Sequence, residues 1–304
     1  MSNKKIKNHE TGDNNMSENT TEQIINPKVS IIIPCYNQGK YVAAAIQSAL
    51  DQTYDNIEIV VVNDGSTDNS SDVIQRYVKK NRNILFLDNK VNRGVINARN
   101  MAIDASSGEY ILPLDADDII EPLYAEMATN ILKTRADIGI VYCNARIFGT
   151  QIGEWKLPEY SKETILFENC IFNSAFFRKK DFISVGGYKD YMSVGCEDYD
   201  LWLSFIEQGW DVYKINKVLF NYRKYKEYSR TDLCAEYNTE VWKQIIKNHI
   251  NLYINNKLFL ESLSFTGTLK THQKYKKYKK LFNIFLLILI IETIILFLIL
   301  FIIS

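Results

Sequence analysis

The sequence predicts an α/β fold, a mostly parallel central sheet flanked by helices, followed by one C-terminal transmembrane helix. Three observations carry this. Short β-branched runs alternate with stretches of helical spacing over the first 120 residues, the pattern of βαβ units. Polar and acidic residues collect just after the strand runs, where parallel sheets form their binding crevice. The last 24 residues are almost wholly apolar.

The elements follow in order. Residues 1–27 are polar, with no apolar period and no signal-peptide core, and read as a disordered leader. Val29–Ile33 is a first strand. Tyr41 to Gln52 carries Val42, Ala45, Ile46, Ala49 and Leu50 at helical spacing. Ile57–Val62 is a second strand and Ser70 to Lys80 a second helix. Ile84–Leu87 and Val95 to Ala105 repeat the unit, and Tyr110–Leu114 is a fourth strand. From 121 to 235 strand and helix signals mix with many aromatics, and the sheet is expected to continue there. Residues 236–280 look helical and polar, with lysines crowding 270–280.

Residues 281–303 then run apolar for about 23 residues, enough to cross ~30 Å of hydrocarbon. A soluble helix of that length would show a polar face. Lys270, Lys274, Lys276, Lys277, Lys279 and Lys280 precede it, and positive residues beside a span stay on the cytoplasmic side. The expected arrangement is single-pass in the inner (cytoplasmic) membrane, with the folded domain in the cytoplasm. Glu292 lies mid-span, where a charge costs roughly 3 kcal/mol.

Composition narrows the function classes. The 36 basic and 36 acidic residues cancel, so no global field marks a nucleic-acid binder. Five scattered cysteines with no Cys-x-x-Cys pair argue against a zinc site or a disulfide framework and fit reduced thiols. Neither Gly-x-Gly-x-x-Gly nor Gly-x-x-x-x-Gly-Lys-Ser/Thr occurs, so the dinucleotide and P-loop solutions to phosphate binding are absent.

The strand ends carry the chemistry. The first ends in Pro34-Cys35-Tyr36-Asn37, the second in Asn63-Asp64-Gly65-Ser66-Thr67-Asp68, the fourth in Asp115-Ala116-Asp117-Asp118. Three carboxylates within four residues repel one another and resist losing water. A divalent cation with a phosphorylated ligand resolves that repulsion, because hard oxygens suit magnesium and manganese. An acidic turn capping the next helix is the plainer reading of that segment alone.

Together with Asn92-Arg93-Gly94-Val95-Ile96-Asn97-Ala98-Arg99-Asn100 and Glu197-Asp198-Tyr199-Asp200-Leu201-Trp202, these segments resemble a family 2 glycosyltransferase with the A-type glycosyltransferase fold, which is Rossmann-like. The resemblance covers roughly residues 28–230. It implies a catalytic domain over 28–235, with a nucleotide-sugar-binding half at 28–120 and an acceptor half at 121–235. It implies inverting transfer of a sugar from a nucleoside-diphosphate sugar, a UDP-sugar by preference, to a hydroxyl of a glycan or lipid-linked acceptor in cell-surface polysaccharide synthesis. The sugar is of hexosyl or N-acetylhexosaminyl type. By that resemblance Pro34, Tyr36 and Asn37 border the nucleobase and ribose, Asp64 accepts from the base, and Arg99 fixes the nucleotide. Asp115 holds the ribose or shares the metal site, Asp117 binds Mn²⁺ or Mg²⁺, and Asp198 is the general base. Many relatives carry Tyr-Arg-x-His further on; this chain has Tyr222-Arg223-Lys224-Tyr225, which leaves the third metal ligand open. A non-catalytic sugar-nucleotide-binding module of a membrane complex and a polyprenyl-phosphate sugar synthase are the alternatives.

Overall fold

The computed structural model describes residues 26–193, 195–225 and 238–255, with Ile284, Leu287 and Ile291 beyond them. Apart from those three positions, the helix expected over 281–303 and the lysine-rich segment before it lie outside the described residues, as does the leader up to residue 25. Among the described residues no helix is long and apolar enough to cross a membrane.

The first half follows the expected alternation: β1 (Val29–Cys35), α1 (Val42–Leu50), β2 (Ile57–Asp64), α2 (Ser70–Val78), β3 (Ile84–Asn89), α3 (Val95–Ala105) and β4 (Tyr110–Pro113). Every residue of β1 and β4 is buried, which is why they read as unbroken apolar runs. Helix α1 buries Val42, Ala45, Ile46 and Ala49 along one stripe. Helix α3 buries Ile96, Arg99 and Ile103 at the same spacing, so a guanidinium occupies a core-facing position.

The second half adds β5 (Ile119–Ile120), α4 (Tyr124–Thr134), β6 (Ile138–Gly149), β7 (Gly153–Trp155), β8 (Phe176–Arg178), α5 (Lys179–Ser184), α6 (Glu197–Glu207), β9 (Asp211–Lys224), α7 (Asn238–Asn248) and α8 (Ile250–Ile254). One sheet runs β3-β2-β1-β4-β8-β6-β9-β5, with β7 paired to β6. β1, β2, β3, β4, β6 and β9 run one way, and β5, β7 and β8 run against them. The sheet is therefore mixed. The reversed strands are two or three residues long, and β7 follows β6 by a hairpin, which needs no helical crossover.

Because the long strands share a direction, the carboxyl ends of β1, β2, β4 and β9 lie on one rim. Cys35 pairs with Asn63 and Ile32 with Pro113, which sets the first three ends in register. Helix α7 is fixed beside α6 by polar contacts. Asn248 Nδ2 donates to Asp200 Oδ1 at 2.6 Å, and His249 lies 3.2 Å from Asp200 and 3.2 Å from Glu207. Cys35, Cys143 and Cys170 are buried free thiols, while Cys196 is disulfide-bonded, a departure from the expectation of five reduced thiols.

Candidate active site

A cleft of about 1270 Å³ opens along that rim. Pro34, Tyr36, Asn37, Asp64, Arg99, Asp115, Asp117 and Asp198 all line it. Residues up to 164 positions apart in sequence are thus brought to one cavity, from the ends of β1, β2 and β4 and the starts of α3 and α6.

At one end the turn after β1 is stapled to the turn after β2. Asn37 adopts φ 53°, a left-handed conformation that Asn tolerates better than most residues. Its N–H donates to Ser66 Oγ at 2.9 Å and its Oδ1 accepts from Thr67 N at 2.8 Å. Asp64 is buried, and its carboxylate accepts from Asn89 Nδ2 at 3.0 Å, from Arg93 N at 3.1 Å to each oxygen, and from Gly94 N at 2.8 Å. Those four contacts match the lone-pair capacity of a carboxylate. Asp64 therefore anchors the loop before α3, and a contact to a base N–H would share an oxygen already in use. Gly65 makes the close approach possible: at φ 69°, a Cβ would lie 2.6 Å from Asn92 N.

The two acidic clusters meet across Arg99. Its Nη2 donates to Asp115 Oδ1 and its Nη1 to Glu197 Oε1, both at 2.6 Å. Burial opposes the guanidinium charge, but Asp115 and Glu197 outweigh it and raise its pKa above the usual value. A buried ion tolerates such a position only when paired. Arg99 lines the cleft, and its two terminal nitrogens join the turn after β4 to α6.

Each cluster also contains one carboxylate locked into the fold. Asp118 is buried and accepts from Arg223 N at 2.8 Å, and burial, then Asp117 and Asp115, push its pKa well up. Asp200 is buried against Asn248 and His249. Asp115 and Asp117 from the first cluster and Asp198 from the second stay partly exposed and line the cleft.

Asp198 opens the first turn of α6 directly after Cys196 and Glu197. Cys196 holds φ 60°, a strained conformation for a residue with a Cβ, and this sets the entry angle of the acidic turn. Burial, reinforced by repulsion from Glu197 and opposed by Arg99, raises the Asp198 pKa to about 7. Its Oδ1 accepts from Tyr199 N at 2.7 Å, and Asn169 Nδ2 lies 3.5 Å from Oδ2. A carboxylate poised near neutral pH is suited to general-base work.

Asp117 is also raised, by burial and by Asp115. Tyr225 donates its hydroxyl to Asp117 Oδ2 at 2.7 Å. Tyr225 is thus a partner of that carboxylate. Arg223 Nε donates to the Asp117 carbonyl at 2.8 Å, its guanidinium held between the rings of Tyr41 and Phe148 at 4.5 and 4.2 Å. Among the described residues no group of three or more His, Cys, Asp or Glu is placed to hold an ion by itself. Mg²⁺ and Mn²⁺ sites that serve phosphorylated substrates use one or two carboxylates and take further oxygens from the phosphates. Asp117 with a diphosphate fits that donor set.

Sequence reasoning missed Glu197 as a partner of Arg99, the placement of Tyr225, and an aromatic lining from Trp155, Phe172, Phe220 and Tyr222. The burial of Arg99 was legible from its place on the Ile96–Ile103 stripe. Trp155 is isolated in sequence and gave no signal.

The cleft's polar groups lie at the carboxyl edge of the sheet. The model of the family "Glycosyl transferase family 2" matches residues 30–192, and the chain belongs to that family. A glycosyltransferase of Haemophilus influenzae is 31% identical over 246 residues, covering 75% of each chain. Chondroitin synthase of Escherichia coli is 31% identical over 199 residues, 64% of this chain and 29% of that protein. Among solved structures, S. aureus TarS 1–349 with UDP superposes with a TM-score of 0.61 at 18% identity, covering 82% of this chain and 78% of that 1–349 chain. A mannosyltransferase of Pyrobaculum calidifontis, solved with GDP-Man and Mn²⁺, gives 0.53 at 16% identity over 86% and 87% of the two chains. The fold is accordingly A-type glycosyltransferase-like.

Proposed function

We propose that this glycosyltransferase moves a sugar from a nucleoside-diphosphate sugar, a UDP-sugar by preference, to an acceptor hydroxyl with inversion at the anomeric carbon. The observation that carries the reading is the convergence of Asp64, Asp117 and Asp198 on one cleft from three separate elements. The turn after β1 and the loop anchored by Asp64 form the nucleotide end. Asp115, held by Arg99, faces the ribose side. Asp117 would hold a divalent cation together with the diphosphate, and that cation supplies charge neutralisation for the leaving group.

Asp198 takes the proton from the acceptor hydroxyl. The freed oxygen attacks the anomeric carbon while the bond to the diphosphate breaks. The diphosphate leaves with the bonding electrons, giving a glycoside and a nucleoside diphosphate. Only one nucleophile, the acceptor oxygen, is needed, so configuration inverts. Arg99 keeps Glu197 and Asp115 compensated, which leaves Asp198 the ionisable group of its cluster that faces the cleft.

The apolar run at 281–303 and the lysines before it support attachment to the cytoplasmic membrane with the cleft on the cytoplasmic side. Likeness to a chondroitin synthase supports a polysaccharide or lipid-linked glycan as acceptor. A donor screen tests the reading. UDP-, GDP- and dTDP-sugars are offered with and without Mn²⁺, and thermal shift and donor hydrolysis are followed. Stabilisation and turnover with one nucleotide class, abolished by EDTA, are expected. No response to any donor would refute it.

A further inference from the structure

We propose that His249 is a positioning residue for sugar transfer: bridging Asp200 and Glu207 as an imidazolium, it locks α7 and α8 onto α6 and holds the turn that carries Asp198. The proposal rests on the glycosyltransferase reading and adds to it a residue beyond the segment 30–192 that the family model matches.

The clamp starts at Asp200. Its carboxylate is 2% exposed, and among the described residues its ionic partner is His249. A buried carboxylate needs partners that replace its lost hydration. Two come from the C-terminal helices. Asn248 Nδ2 donates to Asp200 Oδ1 at 2.6 Å, and His249 Nε2 lies 3.2 Å from the same oxygen. The other ring nitrogen, Nδ1, lies 3.2 Å from Glu207 Oε2, and the ring itself is 3% exposed. A neutral imidazole has one N–H and one acceptor nitrogen, so between two carboxylates it would present a lone pair to one of them. An imidazolium donates to both and places a positive charge between the two acids. Tyr191 and Tyr253 are the other titratable groups close to Asp200; burial pushes both phenols up, so neither adds a charge there.

Two paths lead from the clamp to the base. The first is α6 itself. Asp200 N donates to the Cys196 carbonyl at 3.1 Å and closes the turn in which Asp198 lies. Cys196 sits at φ 60°, and a residue keeps such a conformation only where its surroundings over-determine it. Asp200, tied by its side chain to Asn248 and His249 and by its backbone to Cys196, supplies that restraint. The second path is α8. His249 is the residue between α7 and α8, and four positions on Tyr253 Oη donates to Leu166 O at 2.9 Å. Three residues after Leu166 comes Asn169, whose Nδ2 lies 3.5 Å from Asp198 Oδ2. Helix α7 also brings Val241, Trp242 and Ile245 to the cleft. Loosening this one junction would therefore move the base, the amide beside it and part of the cleft wall together.

The test uses the purified full-length chain. In ¹⁵N-labelled wild type the His249 ring is assigned as the signal absent from His249→Gln, and at pH 7 both its nitrogens should show imidazolium shifts. His249→Ala should lower kcat about 10- to 100-fold, the effect of displacing a reacting group by about 1 Å. Its UDP affinity should stay within about twofold of wild type. His249→Gln keeps a donor without the charge and should fall between the two. Asp200→Asn combined with His249→Ala should lose no more than His249→Ala alone, because the two residues act through one contact. A thermal shift with UDP verifies that each variant is folded. A neutral ring in wild type would overturn the proposal, as would an unchanged kcat in folded His249→Ala. So would UDP affinity falling in step with kcat, or failure of both variants to fold, since each marks a support of the whole domain. A wild type that binds no nucleotide would instead bring down the glycosyltransferase reading, and this role with it.

Discussion

The acidic turn after β4 and the first turn of α6 are built from the same parts and differ in how their third carboxylate is treated. Each turn gives one carboxylate to Arg99, Asp115 in the first and Glu197 in the second. Each locks one into the fold, Asp118 on Arg223 N and Asp200 on Asn248 and His249. Asp117 and Asp198 stand outside these pairings, and both line the cleft. Asp117 is then held by the Tyr225 hydroxyl and steadied by Arg223, and Asp198 accepts from Tyr199 N. Burial beside a like charge raises both carboxylates, Asp198 to about 7; the phenol and guanidinium beside Asp117 work against that rise, and Arg99 works against it at Asp198. Three acids in a row do not reveal which one acts; the partners of the other two do.

The largest effect that would break this comparison lies at Asp198. Asp198→Asn should lower transfer to acceptor by about 10²–10⁴-fold, measured as steady-state kcat, with nucleotide affinity retained. A variant with wild-type kcat would remove the asymmetry between the two turns. Next comes the bridge. Arg99→Met removes the cation that Asp115 and Glu197 share, and breaking a buried pair in this way costs about 3–5 kcal/mol. Urea unfolding should show that loss in its midpoint; a shift below 1 kcal/mol would mean the clusters stand independently.

Smaller effects sharpen the contrast. Tyr225→Phe removes the hydroxyl on Asp117 Oδ2 and should change Mn²⁺ affinity of the UDP-bound protein by roughly 10-fold, leaving the acidic limb of the rate profile in place. The pH profile itself should fall by about tenfold per unit below an apparent pKa near 7, because Asp198 must be ionised to accept a proton. Stability carries the opposite sign. The folded protein holds this proton more tightly than the unfolded chain, so wild type loses stability as pH rises from about 4 to 7. Asp198→Asn is spared that loss, and its melting temperature relative to wild type should be higher at pH 8 than at pH 5.

Legibility in the sequence follows the same division of the molecule. β1 to β4 and their helices could be read because β1, β4 and most of β2 are buried, β3 carries the apolar run Ile84–Leu87, and the helices keep an apolar stripe. The reversed strands β5, β7 and β8 could not, since two or three residues carry no period and their partners lie far off in sequence. Within the site, the acidic motifs marked the rim, and all eight residues singled out do line one cleft. Their division of labour was hidden. Asp64 lines the cleft and also accepts from loop N–H groups; Arg99 lines it and also joins the two clusters. Both outcomes depend on contacts between segments 16 to 98 residues apart. The aromatic lining was illegible for a related reason, since Trp155, Phe172 and Tyr222 come from three separate segments.

The most direct measurement is isothermal titration of UDP into the full-length chain, with and without Mn²⁺, for wild type, Asp117→Asn and Asp198→Asn. Mn²⁺ should tighten UDP binding by at least about tenfold in wild type and in Asp198→Asn, worth roughly 1.4 kcal/mol, and by nothing in Asp117→Asn. Binding indifferent to the cation in wild type, or a metal-linked gain that survives at Asp117→Asn and disappears at Asp198→Asn, would contradict the assignment of the two carboxylates.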